Sequence, residues 1–530
     1  MHDIKKPNIL HIFTDMQRFD TIGCLGNPVI KTPNLDRLCG EGVAFTNAFS
    51  PSPVCIAARC SMISGQYPLH TGCYENDIMP TDGRKTFMGA LTEDGYRTHG
   101  IGKCHFTPDR FELKGFQTRE IQEELGDDPE NLDRNNYLKY LHDAGYEHVC
   151  EEHGIRGEMY YTPQPSVLPA ADHPTQWVAD RSIKFISQPH TKPWYLFASF
   201  IHPHPPLTPP APWHKLYRPS LMPAPNVPQD WESLITYVNR VQNRYKYADQ
   251  GLSIHQMRLI KAYYYACISF VDYQVGRILD ALQVAGALDS TLILFSSDHG
   301  EHLGDRNCLG KRSMHDSSAR VPMIVSQPGR FEGGKTCTTP VSLVDIAPTF
   351  LSASGNIEYQ RTGKLGSHAL DGVDMHDILT GRSDRKVVFS QLSYPDAMTP
   401  LCIAPEDRKY LAIEDEITKR AHFSSYMAVS EKWKYFYSAP DNKEFLFDRI
   451  NDPQETRNKI GLPFVSQSYT EMKKALIEHL KAGGEGAGIT GDSWRVFPQI
   501  RLNPDPDTGL LIQDGYTPWA QMDLPTGYDC

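Results

Sequence analysis

A chain of 530 residues with 40% hydrophobic and 22% charged content can bury a large core, and its length points to two or more domains or to one large α/β domain with an appendage. Its net charge of -11 excludes the broad basic face that nucleic-acid binding requires, while a local basic pocket stays compatible with it. No apolar run approaches the roughly 18 residues of a transmembrane helix and no signal peptide is visible, so the chain as written reads as cytoplasmic, or as periplasmic or secreted with its leader removed.

From the N-terminus, strands alternate with helical periods. Short apolar runs rich in β-branched and aromatic residues occur at Asn8 to Thr14, Tyr96 to Gly102, Trp194 to Phe200, Thr291 to Ser297 and Val321 to Ser326. The stretch from Ile254 to Leu282 keeps apolar residues at helical spacing and is expected to be one packing helix with its tyrosines in the core. Beyond about Arg385 the texture changes to closely spaced strand candidates, KVVFSQLS, SSYMAVS, KWKYFYS and EFLFDR, followed by a helix near Tyr469 to Ala482. The fold class is therefore α/β: a large, mainly parallel (mixed) sheet sandwiched by helices over residues 1–384, then a smaller antiparallel sheet plus helix over 385–530 with a surface-wrapping tail after Gly483. The twelve cysteines (24, 39, 55, 60, 73, 104, 150, 267, 308, 337, 402 and 530) show no Cys-x-x-Cys spacing and are expected to be mostly reduced.

In a doubly wound sheet, ligands sit beyond the carboxyl ends of the strands. Those positions hold Asp15, Lys103 and His105, His204, and Asp298 with His299, and Lys311 comes shortly after. Singly, each is ordinary: an Asp caps a turn, a His is hydrogen-bonded structure, a Lys is solvated. Five segments bringing such groups to one edge suit a site for a metal and an anionic substrate group. Asp15, Asp298 and His299 offer two hard oxygens and an imidazole to a divalent cation, and Lys103 and Lys311 can neutralise a tetrahedral oxyanion. Cys55, in SPVCIAARCSMISG, precedes an expected helix from about Ala57 to Ile63 whose positive end favours an anion, with Arg59 one turn in. By itself Cys55 reads first as a buried structural thiol, with metal ligand, redox residue and nucleophile as the alternatives its identity alone does not favour.

The segment CIAAR resembles the Cys-x-Pro/Ala-x-Arg signature of type I sulfatases in the alkaline phosphatase superfamily. PNILHIFTD, TPNLDRL, GIGKCHF, SFIHPHPP, SSDHGEHLGD, GKRSMHDSSARVPMIV, VSLVDIAPTFL and LFDRINDPQE are similar to family blocks in family order. Only about Phe106 to Pro174 and the last roughly 45 residues have no counterpart in that resemblance. It implies that Cys55 is oxidised by a formylglycine-generating maturation enzyme and that the hydrated aldehyde, itself a metal ligand, attacks the sulfur of a sulfate ester. By the same similarity Arg59 and Lys103 hold the hydrate, His105 is the base of the second step, His204 and Lys311 contact sulfate and assist the leaving group, and Asn76 is a sulfate contact or a turn residue.

One departure concerns the metal. Where many of these enzymes carry Asp-Asp or Asp-Gln, this chain has Asp15 followed by Met16, so the ligands are Asp15, Asp298, His299 and the residue-55 diol, or Gln17 substitutes. Calcium is the first choice, with manganese and magnesium as alternatives. The Asp-His pair is also similar to choline sulfatase-like enzymes and phosphonate monoester hydrolases. The expected activity is thus hydrolysis of a sulfate ester, with a sulfated carbohydrate as candidate substrate. The alternatives are a phosphonate monoester or phosphodiester hydrolase on the same scaffold, and a non-catalytic anion-binding protein in which Cys55 stays a thiol. The segment CEEHGIRGEMYYTPQ is read as a solvated loop in preference to a sugar-binding one.

Overall fold

A computed structural model describes residues 6–124, 129–149, 151–156, 159–243, 252–395, 403–413 and 415–502. The end of the expected surface tail, beyond 502, and Cys150, Cys402 and Cys530 lie outside the described residues. In chain order the N-terminal part contains β1 (Asn8–Thr14), α1 (Pro33–Glu41), β2 (Val43–Phe45), α2 (Cys55–Ser64), β3 (Arg97–Gly102), β4 (Thr118–Ile121), α3 (Pro174–Ile186), β5 (Trp194–Ser199), α4 (Ile254–Val284), β6 (Thr291–Ser297), β7 (Met323–Ser326) and β8 (Lys335–Cys337). The eight strands form one sheet in the order β8-β2-β7-β6-β1-β5-β3-β4. The run β6-β1-β5-β3-β4 is parallel, so these strands all end at one edge. Of the eight, only β7 runs against its neighbours, β2 and β6.

Both faces of the sheet are covered. Ile9 and Phe13 of β1 pack with Leu292, Leu294, Val54, Ala58 and Phe350 on the α2 side. The alternate residues Leu10 and Ile12 pack with Ile293, Phe295, Trp177, Val271 and Leu279 under α3 and α4. A strand with two buried faces has no polar alternation, which is why Asn8–Thr14 reads as a continuous apolar run. The expected packing helix is present and extends to Val284, and its Tyr264 and Tyr265 are buried. Tyr264 also works on the backbone: its hydroxyl donates to the Met16 carbonyl (2.7 Å) and accepts from the Arg18 amide (2.9 Å), fixing the turn after β1.

The C-terminal strands β9 (Val388–Ser393), β10 (Ser424–Val429), β11 (Trp433–Ser438) and β12 (Lys443–Asp448) make an antiparallel meander, with α5 (Ser466–Ala482) across one face. Tyr426, Tyr435, Tyr437 and Leu446 face Met472, Leu476 and Leu480 of α5. Their alternates Met427, Phe436, Phe445 and Phe447 face Phe49, Leu234, Val238 and Met314 of the large sheet's side. Period-2 alternation here separates two apolar surfaces, one for the helix and one for the large-sheet body. The tail after Gly483, as far as it is described, tucks Trp494 and Phe497 onto the α5 face.

Two local expectations change. The helix at the cysteine motif begins at Cys55 itself, because Val54 is the extended N-cap residue, so Cys55 occupies the first helical turn. The run Val321–Ser326 is broken at Pro322: Arg320–Val321 pairs with Ala48–Phe49 in a separate small sheet, and only Met323–Ser326 joins the large one. Proline has no amide hydrogen to give to a ladder, so the break falls there.

Candidate active site

The parallel strand ends deliver the expected groups to one place. Asp15 lies just past β1, Lys103 past β3, and Asp298 and His299 past β6, while α2 presents Cys55 from the side. Asp15, Cys55, Asp298 and His299 are buried, and each offers a ligand atom within 4.8 Å of the others'. The Cys55 sulfur lies 3.3 Å from His299 Nε2 and 3.6 Å from Asp15 Oδ1. His299 Nδ1 donates to the Gly300 carbonyl at 3.0 Å, which leaves Nε2 with its lone pair toward the cluster. Burial, assisted by Lys311, holds His299 down at about 4 against the pull of Asp298, so the ring is a neutral donor at physiological pH.

Close backbone approach makes this geometry possible. A β-carbon at Gly102, where φ is +89°, would come within 2.0 Å of the Ser199 carbonyl oxygen, so only glycine lets β3 turn into Lys103 beside β5. Met16 (φ 66°) and His105 (φ 56°) also occupy the left-handed region that non-glycine residues rarely adopt, both next to site residues. Met16 brings no oxygen ligand. Its amide instead donates to Asp298 Oδ1 at 3.0 Å. Gln17 donates through Nε2 to Thr21 at 3.1 Å, and its buried Oε1 has no hydrogen-bond partner among the described residues.

Arg59 binds the two carboxylates of this cluster themselves. Its Nε donates to Asp298 Oδ2 (3.0 Å), one Nη to Asp15 Oδ2 (3.1 Å), and the other to the Lys103 carbonyl (2.8 Å) and Ser199 Oγ (3.2 Å). Lys103 Nζ sits 2.8 Å from Asp15 Oδ2. Burial opposes the charge on Asp15, yet Lys103, His204, Arg59 and Lys311 hold it well below the usual carboxylate range. Lys311 Nζ is 2.7 Å from the Cys55 sulfur and 3.4 Å from His204 Nε2. His105 is half-buried, its amide donates to Glu123, and its Nδ1 has no hydrogen-bond partner among the described residues. Burial first, then the Lys103 charge, pushes His105 well below the usual imidazole range, which keeps the ring neutral. Asn76 stands at the mouth of α2, where its Oδ1 accepts from the Ile56 amide at 3.0 Å.

Several neighbours escape a reading of the sequence. Glu124 touches Lys103 (2.5 Å), Arg156 and, at 3.3 Å, His204 Nδ1. Tyr160 places its hydroxyl 3.3 Å from His204 Nε2, and Tyr161 donates to buried Glu301 at 2.6 Å. The segment read as a solvated loop therefore lies against the site, because its polar ends find buried partners. Glu124 comes after β4, a four-residue edge strand; the available signal was a charged cluster, Glu123 and Glu124, just past a short run of strand-forming residues.

The protein family described as Sulfatase matches residues 7–356. The chain is 29% identical to an arylsulfatase of Clostridium perfringens over 91% of its own length and 96% of the relative's. It is also 29% identical to a choline-sulfatase of Rhizobium meliloti, over 86% and 82% of the two chains. Its fold superposes on the crystal structure of a phosphonate monoester hydrolase of Agrobacterium radiobacter with a TM-score of 0.75 and 24% identity, covering 90% of this chain and 96% of that one.

Proposed function

The chain belongs to the sulfatase family, and on that premise we propose that it hydrolyses a sulfate ester with formylglycine, made from Cys55 by a maturation enzyme, as its nucleophile. The supporting observation is the convergence on the buried Cys55 sulfur of the three-residue ligand set and of Lys311, 2.7 Å away. In the thiol form of the structure, that sulfur stands where a hydroxyl oxygen of the hydrated aldehyde would lie. Two carboxylates, one neutral imidazole and that oxygen fit a divalent cation, calcium first and magnesium or manganese next. When bound, the cation supplies charge that acidifies and orients the attacking hydroxyl.

The chain's own groups divide the remaining work. Arg59, engaged with both Asp15 and Asp298, keeps the ligand oxygens in place. Lys103 and Lys311 neutralise the sulfate oxygens from opposite sides, and the carboxamide nitrogen of Asn76, the end not engaged by Ile56, is a further sulfate contact. His204 delivers a proton to the departing alcohol oxygen, and neutral His105 takes the proton that allows sulfate to be expelled from residue 55. Tyr160 and Arg156 add an aromatic face and a guanidinium beside His204, an environment suited to the ring of a sulfated carbohydrate.

Two measurements test this reading. Mass spectrometry of the Cys55 peptide should find the aldehyde or its hydrate, and an unmodified thiol in an active preparation overturns the nucleophile. Kinetics on a matched aryl sulfate, phosphodiester and phosphonate monoester should give the highest kcat/KM for sulfate; a preference for phosphonate would move the assignment to that class.

A further inference from the structure

The expected reaction groups come from strand ends and α2, yet Lys103 and His204 share a partner from outside that set. Glu124 lies three residues past β4, with a side chain only 11% exposed. One of its oxygens is 2.5 Å from Lys103 Nζ, and the other faces both His204 Nδ1, at 3.3 Å, and the Arg156 guanidinium. Lys103 is thus gripped from two sides, by Asp15 at 2.8 Å and by Glu124. A lysine on a flexible four-carbon stem needs such paired anchors to hold one position.

For His204 the effect is directional. Among the described residues its Nδ1 faces only acceptors, the Pro205 carbonyl at 2.7 Å and Glu124, so Nδ1 keeps a proton throughout, and the proton that an acid step gives away is a second one, on Nε2 of an imidazolium whose charge Glu124 balances. Nε2 then points at Lys311 and Tyr160 and, through Lys311, at residue 55. Burial opposes ionisation of Glu124, but His204, Lys103 and Arg156 together hold its carboxyl well below the usual range. An ordinary buried ion pair joins two residues; this carboxylate ties together three segments, two of which carry reaction groups.

We propose that Glu124 is a positioning residue: its carboxylate sets the ring of His204 so that Nε2 meets the departing oxygen, with Arg156 closing its outer side, while Lys103 keeps its place through Asp15 when Glu124 is replaced. This rests on the roles assigned above and adds a residue to them.

A double-mutant cycle decides it. Glu124→Gln, His204→Ala and the double variant are assayed on an alkyl sulfate and on 4-nitrophenyl sulfate, with formylglycine content, bound metal and thermal midpoint measured for each. Glu124→Gln should lower kcat/KM for the alkyl ester by about tenfold or more, the nitrophenyl ester much less, and leave KM within about twofold. The double variant should be no slower than His204→Ala alone by more than about twofold, because the two residues act as one unit. Glu124→Asp, which keeps the charge and shortens its reach, should lose less with the same leaving-group bias, and serves as the second variant if Glu124→Gln is unstable. Losses that multiply in the double variant, or that are equal for both esters, overturn the proposal. If the wild type prefers phosphonate monoesters, the sulfate reading fails on its own, and the same cycle on an aryl and an alkyl phosphonate still decides Glu124.

Discussion

Two buried ion clusters stand close together in this molecule and are built on different plans. At the junction with the C-terminal sheet, fully buried Lys434 of β11 donates to the Met314 carbonyl (3.0 Å), Glu455 Oε1 (2.6 Å) and Asp316 Oδ1. Arg306 adds a bond to Glu455 Oε2 at 3.1 Å, and Arg320 and Arg449 reach Asp316 Oδ2 at 3.2 and 3.5 Å. There the chain answers every carboxylate with its own cations. At the candidate active site the cations arrive from α2, β3 and the segment after β6, and they surround one small side chain, Cys55, 1% exposed. The first cluster stabilises an interface, and on the proposed function the second prepares a field for a group that reacts. The two are linked, because the segment from Arg306 to Arg320 that the junction clamps also carries Lys311.

That contrast predicts opposite consequences for similar substitutions. The largest effect belongs to the proposed nucleophile: Cys55→Ala should reduce kcat/KM by more than ~10³-fold while the urea midpoint barely moves, since the change is small and Ala suits a helix. A Cys55→Ala variant with retained turnover would rule out the residue-55 mechanism. Next, Asp298→Ala should lose bound metal and turnover together, and a chelator should do the same to the wild type if its ion exchanges; metal analysis beside the assay checks this. A fully active sample without a divalent ion would contradict it.

Replacing one lysine in each cluster sharpens the comparison. Lys311→Met should cost ~10²–10³-fold in kcat/KM with little change in stability. Lys434→Met should cost ~3–5 kcal/mol of stability by leaving Asp316 and Glu455 without their buried ammonium, while the folded fraction keeps its turnover. Denaturant titrations paired with active-site counts would show whether the two losses separate as expected; equal stability losses in both variants would erase the distinction.

The most gradual effect is spread over buried and half-buried imidazoles outside both clusters. Burial, then the Arg59 charge, pushes His11 down to about 3, burial pushes His153 to about 3 against the pull of Glu124, and burial takes His479 to about 4. Above the unfolded value near 6.5 these rings are neutral in both states and contribute nothing to the pH dependence. As pH falls from about 6.5 toward 4, the unfolded chain binds protons that the folded chain refuses, so stability declines by up to about 1.4 kcal/mol per pH unit for each ring. The urea midpoint measured from pH 7 to 4 should fall, and His479→Phe, which keeps the stack on Phe389 at 3.8 Å between ring centres, should flatten the decline.

Legibility in the sequence depends on which forces act locally. Asn8–Thr14 and Thr291–Ser297 were readable to the residue because a strand buried on both faces is an unbroken apolar run. Asp15, Lys103, Asp298 and His299 could be found by looking just past the carboxyl ends of such runs. Edge strand Thr118–Ile121 has one buried residue in four and offered no such run, so Glu124 behind it went unread. The antiparallel direction of β7 is set by its partners, which no local pattern encodes. The segment around Arg156 and Tyr160 is polar, and polar sequence looks the same whether its groups meet water or buried carboxylates; only the folded chain tells the two apart.

The depth of Cys55 also fixes a timetable. Its sulfur lies under α2, between His299 and Lys311, so an enzyme acting on the finished protein would find almost no surface there to grip. On the proposed function, oxidation of that thiol would therefore compete with folding. Slower folding during synthesis, at lower temperature or with abundant maturation enzyme, should then raise the converted fraction, while molecules that close early would keep the thiol. A purified batch would then mix converted and unconverted chains, and its specific activity would record the conditions of its synthesis as much as the chemistry of its site.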